Sequence, residues 1–235
     1  MFKNLVLCTI TLVLAFCSIV YELLLGQALS AFLGNTVLRY SVTVGLYLLS
    51  MGIGSYFAEG RFVRYSALTL LWVEFFLALV GGSSIVSLHL VHAAQLGDYS
   101  VFFFGHALIV LIGVLTGFEI PLLMDLWRRT NHREGFTVLG VNYLGAFLGT
   151  IAFAFVFYPT TGLVGTAFVI ALLNAVAGMF LVLFGKDFRK AKRKRFAFAA
   201  LFQPAVAVIF TVSILYLDWI ESYLDFLYIS AGSLT

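Results

Sequence analysis

Seven apolar stretches, each of roughly twenty residues or more, recur along this 235-residue chain, at 5–25, 38–57, 67–91, 101–126, 138–158, 163–184 and 196–217. A helix that crosses the hydrocarbon core of a bilayer needs about 20 mostly apolar residues. The expected fold is therefore all-α: a polytopic membrane protein, a bundle of about seven transmembrane helices in one domain, 1–217, followed by a short tail, 218–235. A transmembrane barrel would instead show segments of about 10 residues alternating between apolar and polar. Runs such as 108–115 are apolar on every face and favour helices.

Composition agrees. Hydrophobic residues make up 62% of the chain and charged residues 11%, against roughly 45–50% and about 25% in soluble domains. Cys8 and Cys17 share the first stretch, about 13 Å apart along a helix, which is beyond the reach of a disulfide. Lys3 ahead of an apolar run has the look of a secretory signal. That run flows through Tyr21 to Gly26 without a small-x-small cleavage site, and Phe16 before Cys17 suits a lipoprotein site poorly. It is expected to stay as the first helix.

The 14 Lys and Arg are unevenly placed. Lys3 precedes the first stretch, Arg61 and Arg64 follow the second, and Arg128, Arg129 and Arg133 follow the fourth. Seven more occupy 186–195 after the sixth, and Arg39 alone lies between the first and second. Seven crossings put all but Arg39 on one side. Short loops rich in Lys and Arg stay cytoplasmic, so the N-terminus is expected inside and the C-terminus outside, in a membrane of the bacterial cytoplasmic type. The 186–195 run reads as a topology anchor that also meets acidic lipid headgroups. Nucleic acid is not an expected partner, since no stacking platform accompanies the charge.

Charged groups inside hydrocarbon cost about 2.5–3.5 kcal/mol on insertion scales, so each needs a reason to be there. Glu74 and Glu119 fall about two turns from the inner ends of the third and fourth stretches. Asn142, about one turn into the fifth, is placed to join them in a polar site in the inner third of the bundle. Such a site would bind a cation and exchange it for a proton. Asp125 at the boundary is expected to pair with Arg128 or Arg129. Glu22 has two readings: an ion pair with Arg39, or an acidic lining for a cation path. Pro121 removes one helical hydrogen bond and frees the Gly117 carbonyl, so a kink is expected over 117–121 beside Glu119. Gly113-x-x-x-Gly117 and Gly145-x-x-x-Gly149 have the spacing that lets helix backbones approach.

Soluble-enzyme signatures are missing. No Gly-rich phosphate loop and no His-Glu-x-x-His pattern occurs, and no catalytic residues or cofactor are expected. His89 and His92, spaced i,i+3 with Asp98 near in sequence, make too small a ligand set for a metal. His106 and His132 stand alone in the sequence.

The chain reads YELLLGQALSAFLGN at 21–35 and LRYSVTVGLYLLSMGIGSYF at 38–57. VEFFLALVGG follows at 73–82, GFEIPLL at 117–123 and NYLGAFLGT at 142–150. These segments, spread over nearly the whole chain, resemble the multi-helix membrane domain of the spermidine synthase-like (polyamine aminopropyltransferase) family. In that family a soluble methyltransferase-like domain follows the last helix and transfers an aminopropyl group to putrescine. Here the sequence ends at Thr235, so the family's catalytic residues have no counterpart positions, and transferase chemistry is not expected of this chain alone. The YE…G…MGxGS pattern is also loosely similar to half of a major-facilitator transporter. The resemblance thus implies a stand-alone membrane module that binds or transports a polyamine or related cation, or tethers a soluble aminopropyltransferase. A fragment of a membrane-bound synthase and a structural membrane subunit are the alternatives.

Overall fold

In a bilayer a backbone must satisfy its own N–H and C=O groups, and helices are one of two ways to do so. The computed structural model describes residues 2–59, 62–97, 99–131, 136–182 and 190–232, and among them there are helices and no strands. Arg61, Asp98, His132, Arg133, Lys186 and Arg189 lie outside the described residues.

Helix α1 spans Phe2–Leu33 and α2 Thr36–Ala58. Between them Gly34 and Asn35 both take positive φ, and the Asn35 side chain accepts from the Leu38 N–H at 3.3 Å, capping α2. A 3₁₀ turn, Val63–Tyr65, leads into α3, Ser66–Ala93; α4 spans Ser100–Asn131. Helix α5, Phe136–Ala152, continues through a wider π turn, Phe153–Phe157, into α6, Tyr158–Phe180. Then come α7, Lys190–Ala200, α8, Phe202–Leu215, and α9, Leu217–Gly232. The break between α7 and α8 at Leu201 follows from Pro204, whose ring clashes with the carbonyl four residues earlier, that of Ala200.

Six helical runs are long and apolar enough to cross a membrane, and one of them, Phe136–Phe180, is 45 residues. At 1.5 Å per residue that run measures about 68 Å, more than twice the hydrocarbon thickness of about 30 Å. It is two crossings. The chain reverses at Gly162, whose φ of 61° and ψ of −165° are not helical and are open essentially to glycine alone. Packing shows the reversal. Gly145 and Gly149 of α5 lie against Leu12 and Phe16 of α1 in parallel order. Helix α6 runs the other way: Ile170 accepts from the Cys17 thiol, while Ala177 and Leu181 pack with Leu7 and Ile10. With this turn counted, the six runs make the seven crossings expected from the sequence.

The crossings alternate in direction. Helix α2 descends beside α1, with Tyr40 at Gln27 and Tyr47 at Ser18. Helix α3 rises again, bringing Gly81 against Tyr21. One end of the bundle therefore collects Lys3, Arg64, Arg128, Arg129 and Arg195, while Arg39 sits at the other. Helix α1 is the central helix, touching α2 to α6. Helices α2 and α4 pack most closely: a Cβ on Gly54 would collide with the Val114 carbonyl, and one on Gly117 with the Met51 carbonyl.

Helix α4 is continuous through Pro121, and Gly117 packs closely on the Met51 carbonyl of α2. Two expectations change. The 218–235 tail contains α9, whose Leu224 is buried in the main apolar core with Leu217, Ile220 and Leu227 against it. Tyr228 of α9 stacks on His92 at 4.8 Å, and His89 Nδ1 pairs with the Ile85 carbonyl at 2.9 Å. Finally, α1 and α4 each have 32 residues, longer than their apolar stretches, which shifts the depth of the acidic residues as described next.

Candidate cation-binding site

Ser18 is at the midpoint of α1, and its hydroxyl donates to Glu119 Oε2 at 2.9 Å. Glu119 therefore lies near mid-height in the bundle, not in its inner third. Beside it, Tyr47 of α2 donates to the Ser18 carbonyl at 3.0 Å and receives a hydrogen bond from the Thr116 hydroxyl at 3.0 Å. These groups line a cavity of about 70 Å³ shared by α1, α2, α4 and α5, together with Glu22 and Asn142. Its floor of Ser18, Glu22, Tyr47, Thr116 and Glu119 is buried; its rim of Ile19, Met51, Ile120, Asn142 and Ala146 is half-buried.

Helical spacing explains the convergence. Ser18 and Glu22 are i,i+4 on α1 and so share one face. Ala15 and Ile19 complete that face toward α5, and the glycines at 145 and 149 draw α5 in against it. The lining contains two carboxylates and no basic side chain. The volume suits one ammonium group or a couple of waters, each water occupying about 30 Å³ in the liquid. Glu119 Oε1 has no hydrogen-bond partner, so the site holds acceptor capacity that the protein itself does not use.

Of the residues picked from sequence, the structure brings Glu22, Glu119 and Asn142 to one cavity. Glu74 is not part of that lining. It is fully buried on α3, where the Asn174 amide of α6 donates to its backbone carbonyl at 3.3 Å, and both its carboxylate oxygens lack partners. It nevertheless lies within electrostatic reach of Glu119, and Cys17 and Tyr21 lie within reach of both.

The expected Glu22–Arg39 ion pair does not form. Tyr40 packs level with Gln27, which places Arg39 more than a turn beyond Glu22 toward the opposite end. The Arg39 guanidinium instead lies 5.6 Å from the Phe102 ring centroid. Asp125 takes Arg129 at 2.6 Å and also accepts from Ser66, and Arg129 donates to the Val63 carbonyl at 3.1 Å. Among the described residues no group of three or more His, Cys, Asp or Glu is placed to hold a metal.

Sequence reading missed Ser18, Tyr47 and Thr116, whose types are ordinary in membrane helices. It also missed Asn174, although an amide inside an apolar stretch is the same signal that singled out Asn142.

Fold and cavity define a polytopic helical membrane protein with an acidic, internally placed site. No family model matches the chain, and no solved structure matches it. Curated relatives do. A polyamine aminopropyltransferase of Oceanobacillus iheyensis is 35% identical over 185 residues, 75% of this chain and 35% of that protein. One from Leptospira interrogans is 36% identical over 166 residues, covering 69% and 32%. Polyamine aminopropyltransferase 1 of Streptomyces coelicolor is 37% identical over 178 residues, covering 72% and 32%. This chain is thus related to the polyamine aminopropyltransferases through its membrane-spanning helices, and it spans about a third of the length of the curated relatives it matches.

Proposed function

We propose that this chain is a membrane module that binds an organic cation of the polyamine class at the Glu22, Glu119 and Asn142 cavity. One observation carries the reading: two carboxylates line a buried cavity that holds no basic side chain. Ionised acids in hydrocarbon are costly and need a partner, and an alkylammonium group supplies both charge and hydrogen-bond donors. The names of the relatives point the same way, since polyamines are cations. The rim residues Ile19, Met51, Ile120 and Ala146 suit the methylene chain of such a molecule. In this reading the basic end of the bundle faces the cytoplasm, with the N-terminus inside and the C-terminus outside, in a bacterial cytoplasmic membrane.

Labelled putrescine and spermidine, offered to membranes with and without the protein, test the proposal. Saturable binding or uptake is expected, lowered at least tenfold in Glu119→Gln, a loss of about 1.4 kcal/mol. Equal binding by membranes lacking the protein, or by the Gln variant, would count against it. A second reading rests on the length of the relatives: the chain serves as the membrane part of an aminopropyltransferase and holds a soluble catalytic domain at the bilayer. Co-purification of transferase activity with the tagged chain from native membranes would favour that reading.

A further inference from the structure

A second polar group of residues lies outside the cavity lining. Glu74 of α3 is fully buried, and neither of its carboxylate oxygens has a partner. Asn174 of α6 is 1% exposed; its Nδ2 donates to the Glu74 backbone carbonyl, which leaves Oδ1 without a donor. Tyr21 is 1% exposed, and its hydroxyl is also unpartnered. A buried acceptor left unsatisfied costs about 1–3 kcal/mol, more when charged, and here three acceptor oxygens are unsatisfied together.

The groups around Glu74 narrow what can satisfy them. Helix α1 presents Cys17 and Tyr21, α4 presents Glu119, and α6 presents the neutral Asn174. Helix α8 contributes the neutral Gln203, which donates to the Leu71 carbonyl at 2.8 Å. Helix α7 meets α3 near Ala67–Leu71, where its Phe196 and Ala199 pack, and the exposed Arg195 is at that end. The acids of α9, Asp218, Glu221 and Asp225, sit at the opposite end. Asp125 is already taken by Arg129 and Ser66. Among the side chains described on these helices, none that faces Glu74 is basic. A proton satisfies the arrangement with one bond: a Glu74 carboxylic acid donates to Asn174 Oδ1.

We propose that Glu74, with Asn174 as its hydrogen-bond acceptor, is a proton-binding site separate from the cavity, and that it releases its proton when a cation occupies the Glu119 site. The second half rests on the cation-binding reading above; the first does not. The link is electrostatic. Two ionised carboxylates within reach of each other in a medium of low polarity repel strongly, and a cation at Glu119 removes that repulsion, so Glu74 can ionise. Linkage makes the effect reciprocal: protonation of Glu74 weakens cation binding by the same factor.

Two measurements on the full chain in lipid nanodiscs separate the halves. Infrared spectroscopy at neutral pH reads the carbonyl stretch of protonated carboxylic acids. A band is expected in the wild type that Glu74→Gln removes and that Asn174→Leu moves to higher wavenumber, because its acceptor is gone. An unchanged spectrum in a folded Glu74→Gln variant overturns the site, and if that variant does not fold, an unmoved band in Asn174→Leu does so. Calorimetric titration of putrescine in buffers of different ionisation enthalpy reads protons released. About one more proton per putrescine is expected from the wild type than from Glu74→Gln, which should still bind. Equal release from both overturns the linkage. If putrescine does not bind the wild type, the cation-binding reading and the linkage fall together, while the infrared result decides the proton site on its own.

Discussion

Glycines on α2 and α4 divide sharply by what surrounds them. Gly117 presses on the Met51 carbonyl, whereas Gly52 has open space where a Cβ would go. Gly117→Ala should therefore cost about 1–3 kcal/mol through overpacking. Gly52→Ala should stabilise by up to about 1 kcal/mol, because glycine is the poorer helix former. Thermal unfolding in detergent checks both, and equal shifts would contradict the packing. Gly113-x-x-x-Gly117 was legible as a contact motif in the sequence, but its partner helix was not, because spacing along one helix carries no address for another. Glu22 and Arg39 show the same limit. Each was recognisable as a charge in an apolar setting, yet their axial offset depends on how α2 is set beside α1. With no pair formed, the stability losses of Glu22→Gln and Arg39→Gln should add to within about 0.5 kcal/mol in the double variant. A double variant more stable than either single one would show that they pair after all.

At the scale of elements, the apolar stretches located every crossing, because length and hydropathy alone decide what spans a bilayer. What they could not show is the helical continuation beyond the apolar run, as at both ends of α1 and the inner end of α4. Those extensions moved Glu119 from the inner third to mid-height. Helix α9 was missed for a related reason: at 16 residues with three acids it fails the test for a span, and its docking depends on a groove the rest of the bundle creates. Burial, with Asp225 and Asp218 adding to it, raises the pKa of Glu221 on this helix. A carboxyl whose folded pKa is raised binds more protons in the docked state than when undocked. Docking of α9 should thus tighten as pH falls from neutral toward the ordinary carboxylate range and loosen as pH rises through the raised value. Glu221→Gln should flatten that dependence. Hydrogen exchange of the α9 amides against pH measures it, and protection that grows with rising pH would carry the wrong sign.

For the whole molecule, the alternation of seven crossings is the strongest agreement between sequence and structure, since the basic residues and the packing order place the same helix ends together. The proposed orientation puts the basic end inside the cell. On a background of Cys8→Ser and Cys17→Ala, a cysteine at Thr161 should label from outside the cell and one at Lys190 from inside. Labelling of both from one side would contradict the topology. The mid-height position of the acids has an electrical consequence. Moving one elementary charge across a full membrane potential involves about 2.3 kcal/mol per 100 mV, so a cation that reaches Glu119 from either face crosses roughly half the field and about 1 kcal/mol of it. Glu74 lies about a turn nearer the basic end, since Gly81, further along the same helix, meets Tyr21. A proton that leaves it by the face through which the cation arrived crosses part of the field in the opposite sense and offsets part of the charge that the cation brings in. A proton that leaves by the other face makes each binding event carry charge across the whole membrane.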